Sequence, residues 1–252
     1  MIGQSATTLR IIQVSDCHVS ADPQATYRGI KADRNLRSLL PVLRRWQPDL
    51  LLLTGDVSED ASPAAYGRVS ALLGTIGAPV LALPGNHDDV TVMQRYFPLG
   101  PWGGVFERAG KRWRIILLDS TRPGQISGSL STECLDRLES SLGRHPGSPT
   151  LVALHHQPVH VNSPWIDRYA LERPEPFMEL LDRHPDIRCV AWGHVHQAFE
   201  TELNGRLLLG APSTAANSLP NARAFTPDMS GPACRWLELS GGGEVITGLL
   251  HE

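Results

Sequence analysis

Five short clusters follow one another along this chain: Asp16-Cys17-His18, Gly55-Asp56, Gly85-Asn86-His87-Asp88, His155-His156 and Gly193-His194-Val195-His196. Asp16 and Asp56 offer carboxylates, Asn86 a neutral carbonyl oxygen, and His18, His155, His194 and His196 imidazole nitrogens. That is about what two adjacent metal ions need, and the imidazole of His87 is left over. A pair of divalent or trivalent ions about 3.5–4 Å apart can generate hydroxide and clamp a phosphate at the same time, so the chemistry this set suits is phosphoryl transfer. The oxygen and nitrogen donors, with no thiolate among them, favour Fe, Mn or Zn over Cu(I) and supply more imidazole than Mg or Ca sites use.

Spacing within the clusters points the same way. In an extended chain residues i and i+2 face one side, so Asp16 and His18 are expected to reach one ion while Cys17 points away, and His194 and His196 to enter the site together. Asp56 has a carboxylate short enough to bridge two ions. Singly, an Asp-x-His or a Gly-Asp is commonplace, the latter as a turn signal. The ordered set carries the reading because every member sits at the end of an expected strand.

Leu9 to Val14 is an apolar, β-branched run before the first cluster, and runs that end in the same way lie at Asp49 to Thr54 before the second, Pro79 to Leu83 before the third, Thr150 to Leu154 before the fourth and Ile187 to Trp192 before the fifth, each read as a strand. Residues just beyond strand ends in sheets of this kind converge on a common crevice. Helical stripes lie between them. Leu36, Leu39, Leu40, Leu43 and Trp46 share a face, with Pro41 expected to bend the helix. Ser62-Pro63 reads as an N-cap followed by proline at the first helical position, ahead of Tyr66, Val69, Leu72, Leu73 and Ile76. Leu135, Leu138 and Leu142 mark a third helix after Ser131, and Phe177, Leu180 and Leu181 a fourth. Hairpins are expected around Ala109-Gly110-Lys111, Asn204-Gly205 and Gly241-Gly242-Gly243. The expected architecture is two β-sheets face to face, each covered outside by helices.

At 252 residues and 41% apolar composition the chain can bury one large core, and it shows no internal repeat or low-complexity break. A single domain over residues 1–252 is expected. The net charge of −3 gives no general attraction for nucleic acid or anionic lipid. The polar start, Met1 to Thr8, has neither a basic n-region nor an apolar h-region, and no apolar run reaches about 18 residues, so a cytoplasmic protein without a membrane span is expected. Cys17, Cys134, Cys189 and Cys234 form no C-x-x-C pair, and reduced, buried thiols are expected.

The order Asp-x-His, Gly-Asp, Gly-Asn-His-Asp, His-His, Gly-His-x-His resembles the calcineurin-like metallophosphoesterase superfamily, and the resemblance runs from Leu9 to about Leu250. Leu83-Pro84-Gly85-Asn86-His87-Asp88, Ile116-Leu117-Leu118-Asp119-Ser120, Ser163-Pro164-Trp165-Ile166-Asp167, Asn204-Gly205-Arg206 and Ala211-Pro212-Ser213-Thr214 are similar to the bacterial class III 3′,5′-cyclic-nucleotide phosphodiesterases. The resemblance implies an α/β fold, a four-layer α/β/β/α sandwich with two facing mixed sheets. It implies that Asp16, His18 and His196 hold one ion and Asn86, His155 and His194 the other, with Asp56 bridging. It implies that His87 binds no metal but stands beside the phosphate, and that His18, Asp56, Asn86, His87 and His196 contact the nucleotide. Cys17 departs from the usual Ser or Thr, and Thr214 to Gly231 matches the subfamily poorly.

The expected reaction is hydrolysis of a small phosphodiester, cAMP to AMP first among 3′,5′-cyclic nucleotides, by in-line attack of a hydroxide held between two ions, Fe and/or Mn. His87, hydrogen-bonded to Asp88 or Asp56, is expected to protonate the leaving alkoxide. Glycerophosphodiesters, 2′,3′-cyclic nucleotides and other small phosphate esters are the alternative substrates, because pocket loops set that choice. A non-catalytic scaffold of the same fold is disfavoured because all seven ligands and His87 are present. Ser163 to Arg173 reads as a long loop that either covers a nucleotide base or contacts a second copy in a homodimer. Among the other histidines, His145 and His184 are expected at helix ends, and His156 and His160 near the site.

Overall fold

The structure is a computed structural model that describes residues 8–97, 104–108, 111–144 and 146–252. Its elements run β1 (Leu9–Val14), α1 (Ala32–Trp46), β2 (Leu50–Thr54), α2 (Pro63–Gly74), β3 (Val80–Leu83), α3 (Val90–Met93), β4 (Gly104–Arg108), β5 (Lys111–Leu117), α4 (Thr132–Gly143), β6 (Thr150–Leu154), α5 (Pro164–Asp167), α6 (Glu175–Arg183), β7 (Ile187–Trp192), β8 (Phe199–Leu203), β9 (Arg206–Gly210), β10 (Ala233–Leu239) and β11 (Val245–His251). One sheet has the order β11-β10-β1-β2-β3 and the other β4-β5-β6-β7-β9-β8. In the first, β1, β2 and β3 are parallel while β10 and β11 are antiparallel. In the second, β5, β6, β7 and β9 are parallel, with antiparallel β4 and β8 at the edges.

Alternation along the strands sorts their side chains into two cores each. Ile11, Leu50, Leu52, Ile115, Leu151, Ala191 and Leu237 meet between the sheets. Ile12, Leu51 and Leu53 turn outward onto Leu36, Leu39 and Leu43 of α1 and Tyr66, Val69 and Leu73 of α2. On the far side Val152, Leu154 and Val190 pack against Leu138 and Leu142 of α4 and Phe177, Leu180 and Leu181 of α6. The result is the α/β/β/α sandwich expected from the motifs. Strands β2 and β6 are buried at every residue, as parallel strands covered on both faces must be.

Local chemistry explains most boundaries. Ser62 Oγ accepts from Ala65 N–H at 3.2 Å and starts α2 with Pro63 at its first position. Ser131 Oγ does the same for α4 through Cys134 N–H at 3.1 Å. Asn204 (φ 52°) and Gly205 (φ 76°) both take the left-handed conformation that a two-residue hairpin turn requires. Helix α1 runs on through Pro41, which lies on its exposed side. The segment Ser163 to Arg173, expected as a loop, instead contains the helical turn α5 and ends in a bridge from Leu171 to Gly128. His184 caps α6, while His145 and the hairpin residues Ala109 and Gly110 lie outside the described residues. All four cysteines are free and buried. No helix among the described residues is long and apolar enough to cross a membrane.

Candidate metal centre

All five clusters lie just past the carboxyl ends of β1, β2, β3, β6 and β7, at one end of the two facing sheets. Gln13 ties the sheets together there, its side-chain amide donating to Thr54 Oγ1 and to the Trp192 carbonyl, both at 3.0 Å. The backbone then turns sharply. Asp16 (φ 53°), His18 (φ 43°), Asp56 (φ 48°), His194 (φ 66°) and His196 (φ 49°) all adopt left-handed conformations. For non-glycine residues each costs about 1–2 kcal/mol, and clusters of such residues mark functional sites. Interstrand ties offset the strain: Asp16 N–H donates to Gly55 O and His18 N–H to Asp56 O at 3.0 Å, and Gly193 N–H to His155 O at 3.1 Å. Extended alternation is therefore not what brings Asp16 to His18 or His194 to His196. The chain bends at each residue because two strand ends from different sheets must converge on one point.

That convergence leaves no room beside the motif glycines Gly55, Gly85 and Gly193. A Cβ on Gly85 would lie 2.2 Å from Asp56 Oδ1, and one on Gly193 would lie 2.2 Å from Ser15 Oγ and 2.9 Å from Asp16 Oδ2. Glycine is required there for close approach of the chains.

The side chains fall into overlapping groups. Asp16, His18 and His196 bring ligand atoms within 4.8 Å of one another, as do Asp16, Asp56 and His155, and His155, His156 and His194. Asn86 joins the second side, with Oδ1 3.2 Å from His155 Nε2. One oxygen, Asp56 Oδ2, is 3.6 Å from His18 Nε2 and 3.5 Å from His155 Nε2. All seven residues picked out as ligands thus share one site, and every one but Asn86 is buried.

Three of the rings are held by the nitrogen that faces away from the centre. His18 Nδ1 lies 2.7 Å from Glu59 Oε2, His155 Nδ1 2.8 Å from Thr54 O, and His196 Nδ1 2.7 Å from Ala216 O. An acceptor on Nδ1 places the proton there and leaves the Nε2 lone pair for an ion, as metal-binding histidines require. Burial pushes the His18 ring towards its neutral form despite the Glu59 hydrogen bond. Its Nε2 is 3.2 Å from His196 Nε2, so two ring nitrogens whose Nδ1 protons are committed elsewhere face each other. His194 Nε2 is buried with no hydrogen-bond partner. Burial works against a charged His155, but Asp56 outweighs it and raises that pKa to about 9. The same field that favours a proton on His155 favours a cation beside it. The donor set therefore fits metal ions.

His87 stands at the rim, its side chain a third exposed. Its N–H donates to Asp56 Oδ1 at 2.9 Å, and its Nδ1 lies 3.2 Å from Glu59 Oε2. Burial lowers the His87 pKa, but the Glu59 hydrogen bond and the charge of Asp56 prevail and raise it to about 9. The expected ring partners, Asp88 or Asp56, are thus corrected to Glu59. Asp88 is occupied elsewhere, accepting from Gly85 N–H, Val57 N–H, Ser58 N–H and Tyr66 Oη at 2.9 to 3.1 Å. It staples the loops after β2 and β3. Sequence reasoning misses Glu59, three residues beyond Asp56, whose one signal is the spacing Asp-x-x-Glu. Tyr27, stacked on His18 with ring centroids 3.8 Å apart, had no signal at all.

His156 is buried beside the centre, and both its ring nitrogens are bound. Nδ1 lies 2.8 Å from Ser120 Oγ and Nε2 2.9 Å from Ile126 O. Burial and the neighbouring His155 depress its pKa to about 3, so it stays neutral. His160 is exposed. Above the centre opens a cavity of about 430 Å³ floored by Asp56, Asn86, His87, His194 and His196. Of the residues expected to contact nucleotide, Asp56, Asn86, His87 and His196 line this cavity, and His18 lies beneath the Tyr27 ring.

Residues 9–198 match the calcineurin-like phosphoesterase family. Over 241 residues, 95% of this chain and 88% of the relative, it is 36% identical to the 3′,5′-cyclic adenosine monophosphate phosphodiesterase CpdA of Pseudomonas aeruginosa. It is 34% identical, over 95% of its length and 91% of the relative's, to a 3′,5′-cyclic-nucleotide phosphodiesterase of Nostoc. Among solved structures, a dimetal phosphatase from Danio rerio superposes with a TM-score of 0.71 at 17% identity, covering 96% of this chain and 98% of that one, a likeness of fold.

Proposed function

This chain belongs to the calcineurin-like phosphoesterase family, and within it we propose a binuclear-metal phosphodiesterase that hydrolyses 3′,5′-cyclic nucleotides, cAMP to AMP foremost. It is a metal-dependent phosphoric diester hydrolase by family and relatives; the ion count, the residue roles and the substrate are the proposal. The observation that carries it is the position of Asp56 Oδ2, within 3.6 Å of His18 Nε2 on one side and 3.5 Å of His155 Nε2 on the other. A single carboxylate oxygen reaching both groups supports two ions, Asp16, His18 and His196 holding one, Asn86, His155 and His194 the other, and Asp56 between them. Fe or Mn suits the donors.

Bound ions supply Lewis acidity, lowering the pKa of water and neutralising charge on the phosphate. The protein's own residues do the rest. Asp56 holds the His87 backbone through its N–H, and Glu59 holds the ring through Nδ1, so Nε2 is left to meet the substrate at the cavity floor. A ring kept protonated by Glu59 and Asp56 can deliver a proton to the departing ribose 3′-oxygen, which leaves poorly as an alkoxide. General acid catalysis of this kind is worth roughly 10²–10⁴-fold. Thr54 O and Ala216 O hold the ligand rings in place.

Metal analysis and a substrate panel test the proposal together. Chelation should abolish activity and Mn²⁺ or Fe²⁺ restore it with two ions per chain, Asp56→Ala should lose both, and cAMP should be the best substrate among cAMP, cGMP, 2′,3′-cAMP and a glycerophosphodiester. Full activity with one ion per chain would overturn the binuclear assignment. Faster turnover of the glycerophosphodiester or of 2′,3′-cAMP would overturn the substrate.

A further inference from the structure

The cavity above the metal centre has a wall that the hydrolytic chemistry does not use. Tyr27, Arg28 and Trp165 line it on the approach to the floor, with Gln125 and Ile126 from the segment that His156 holds through the Ile126 carbonyl. Arg28 is exposed and adopts a left-handed backbone (φ 49°). Its guanidinium carbon lies 4.0 Å from the centre of the Phe225 ring and 5.7 Å from that of Trp165, and its Nε donates to Tyr27 Oη at 3.0 Å. These contacts fix the plane of the group and engage only Nε. No carboxylate among the described residues pairs with Arg28, and its terminal nitrogens donate to none of them. Trp165 packs edge-on against Phe225 at 5.3 Å, is nine-tenths buried, and has an indole N–H without a partner.

A planar, donor-only cation held by aromatic rings, beside an indole and an exposed Ile126 side chain, is a surface for a flat heteroaromatic ring with acceptors on its edge. With a phosphate on the floor, about 430 Å³ is enough to enclose a small ligand of that kind. Resting on the cyclic-nucleotide reading above, we propose that Arg28 and Trp165 form the nucleobase subsite, Trp165 giving the base an apolar contact and Arg28 donating to the N7 edge of a purine. Adenine and guanine both offer N7 to such a donor on that edge, where cytosine presents only a donor of its own. Arg28 is thus a specificity-determining residue that favours purines over pyrimidines.

The test uses metal-loaded full-length protein, wild type and Arg28→Ala, with cAMP, cGMP and their 7-deaza analogues, which lack only the N7 acceptor. Wild type should turn over each 7-deaza analogue with kcat/KM roughly tenfold below its parent, mainly through KM. In Arg28→Ala that discrimination should shrink to within twofold. Equal discrimination against the 7-deaza analogues in both proteins, including none in either, would overturn the subsite while leaving cyclic-nucleotide hydrolysis standing. A wild-type protein inert to both cyclic nucleotides but active on other phosphodiesters would overturn the substrate reading and the base subsite together. A larger loss in Arg28→Ala for a nucleotide bearing a second phosphate than for either cyclic nucleotide would reassign Arg28 to that anion.

Discussion

Glu59 accepts from the outward nitrogen of His18 at 2.7 Å, and the same carboxylate oxygen lies 3.2 Å from His87 Nδ1. One side chain thus orients a ring proposed to hold a metal ion and the ring proposed to act on the leaving group. Glu59→Gln keeps the shape but removes the charge and one acceptor. Removing such outer partners commonly weakens metal affinity about 10–100-fold. The variant should bind metal more weakly, measured by competition with a chelator, and should lose kcat even when saturated with metal. Wild-type values for both would show that Glu59 is a bystander.

His87→Ala should retain near-normal metal content while kcat on a cyclic nucleotide falls by roughly 10²–10⁴-fold. The loss should be much smaller for a p-nitrophenyl phosphodiester, whose phenolate departs without a proton. Equal slowing of both substrates would mean that His87 stabilises charge on the phosphate and is not the acid.

Gly85→Ala places a methyl group 2.2 Å from Asp56 Oδ1 and 2.4 Å from Asp56 N. Backbone must shift, at a cost of about 1–3 kcal/mol, and Asp56 must move with it. Thermal unfolding should report the destabilisation and elemental analysis a loss of metal. Gly74→Ala, at the end of α2 with nothing within 4 Å of the added carbon, should instead be neutral or stabilising by up to about 1 kcal/mol. Similar effects from the two substitutions would refute the crowding at Gly85.

Burial raises the thiol pKa values to about 12 at Cys17, about 12 at Cys189 and about 11 at Cys134, and raises that of Cys234 as well. The thiolate is the reactive species, so a disulfide reagent at pH 8 should titrate none of the four quickly in the native protein and all of them after denaturation. A thiol that reacts within seconds in the native state would contradict the packing around it.

How much of this was legible in the chain follows from what each feature depends on. The strands before the five clusters were readable because a buried parallel strand must be apolar along most of its length, as Leu50 to Leu53 and Leu151 to Leu154 are. The α2 and α4 caps were readable because a serine hydroxyl satisfies an N–H within its own next turn, at Ala65 and Cys134. The proposed ligand set was readable as one group because Asp, Asn and His in that order have a chemistry that survives without coordinates. Short-range requirements of this kind are written into residue types and spacings.

The partners that orient those ligands were not legible, because they arrive across the fold. Glu59 reaches His18 over 41 residues, Thr54 O reaches His155 over 101, and Tyr27 lands on His18 from the loop after the first cluster. A carbonyl such as Ala216 O has no identity in a sequence, and its role as the acceptor for His196 depends on where the loop after β9 comes to rest. Arg28 and Phe225 from two loops and Trp165 from the helical turn α5 meet only above the finished centre. Periodicity states which face of an element is buried, and residue type states what a side chain can do. Which groups face one another beyond the strand ends is decided by the packing of one sheet on the other, since only that packing brings together loops whose contacts carry no local signal.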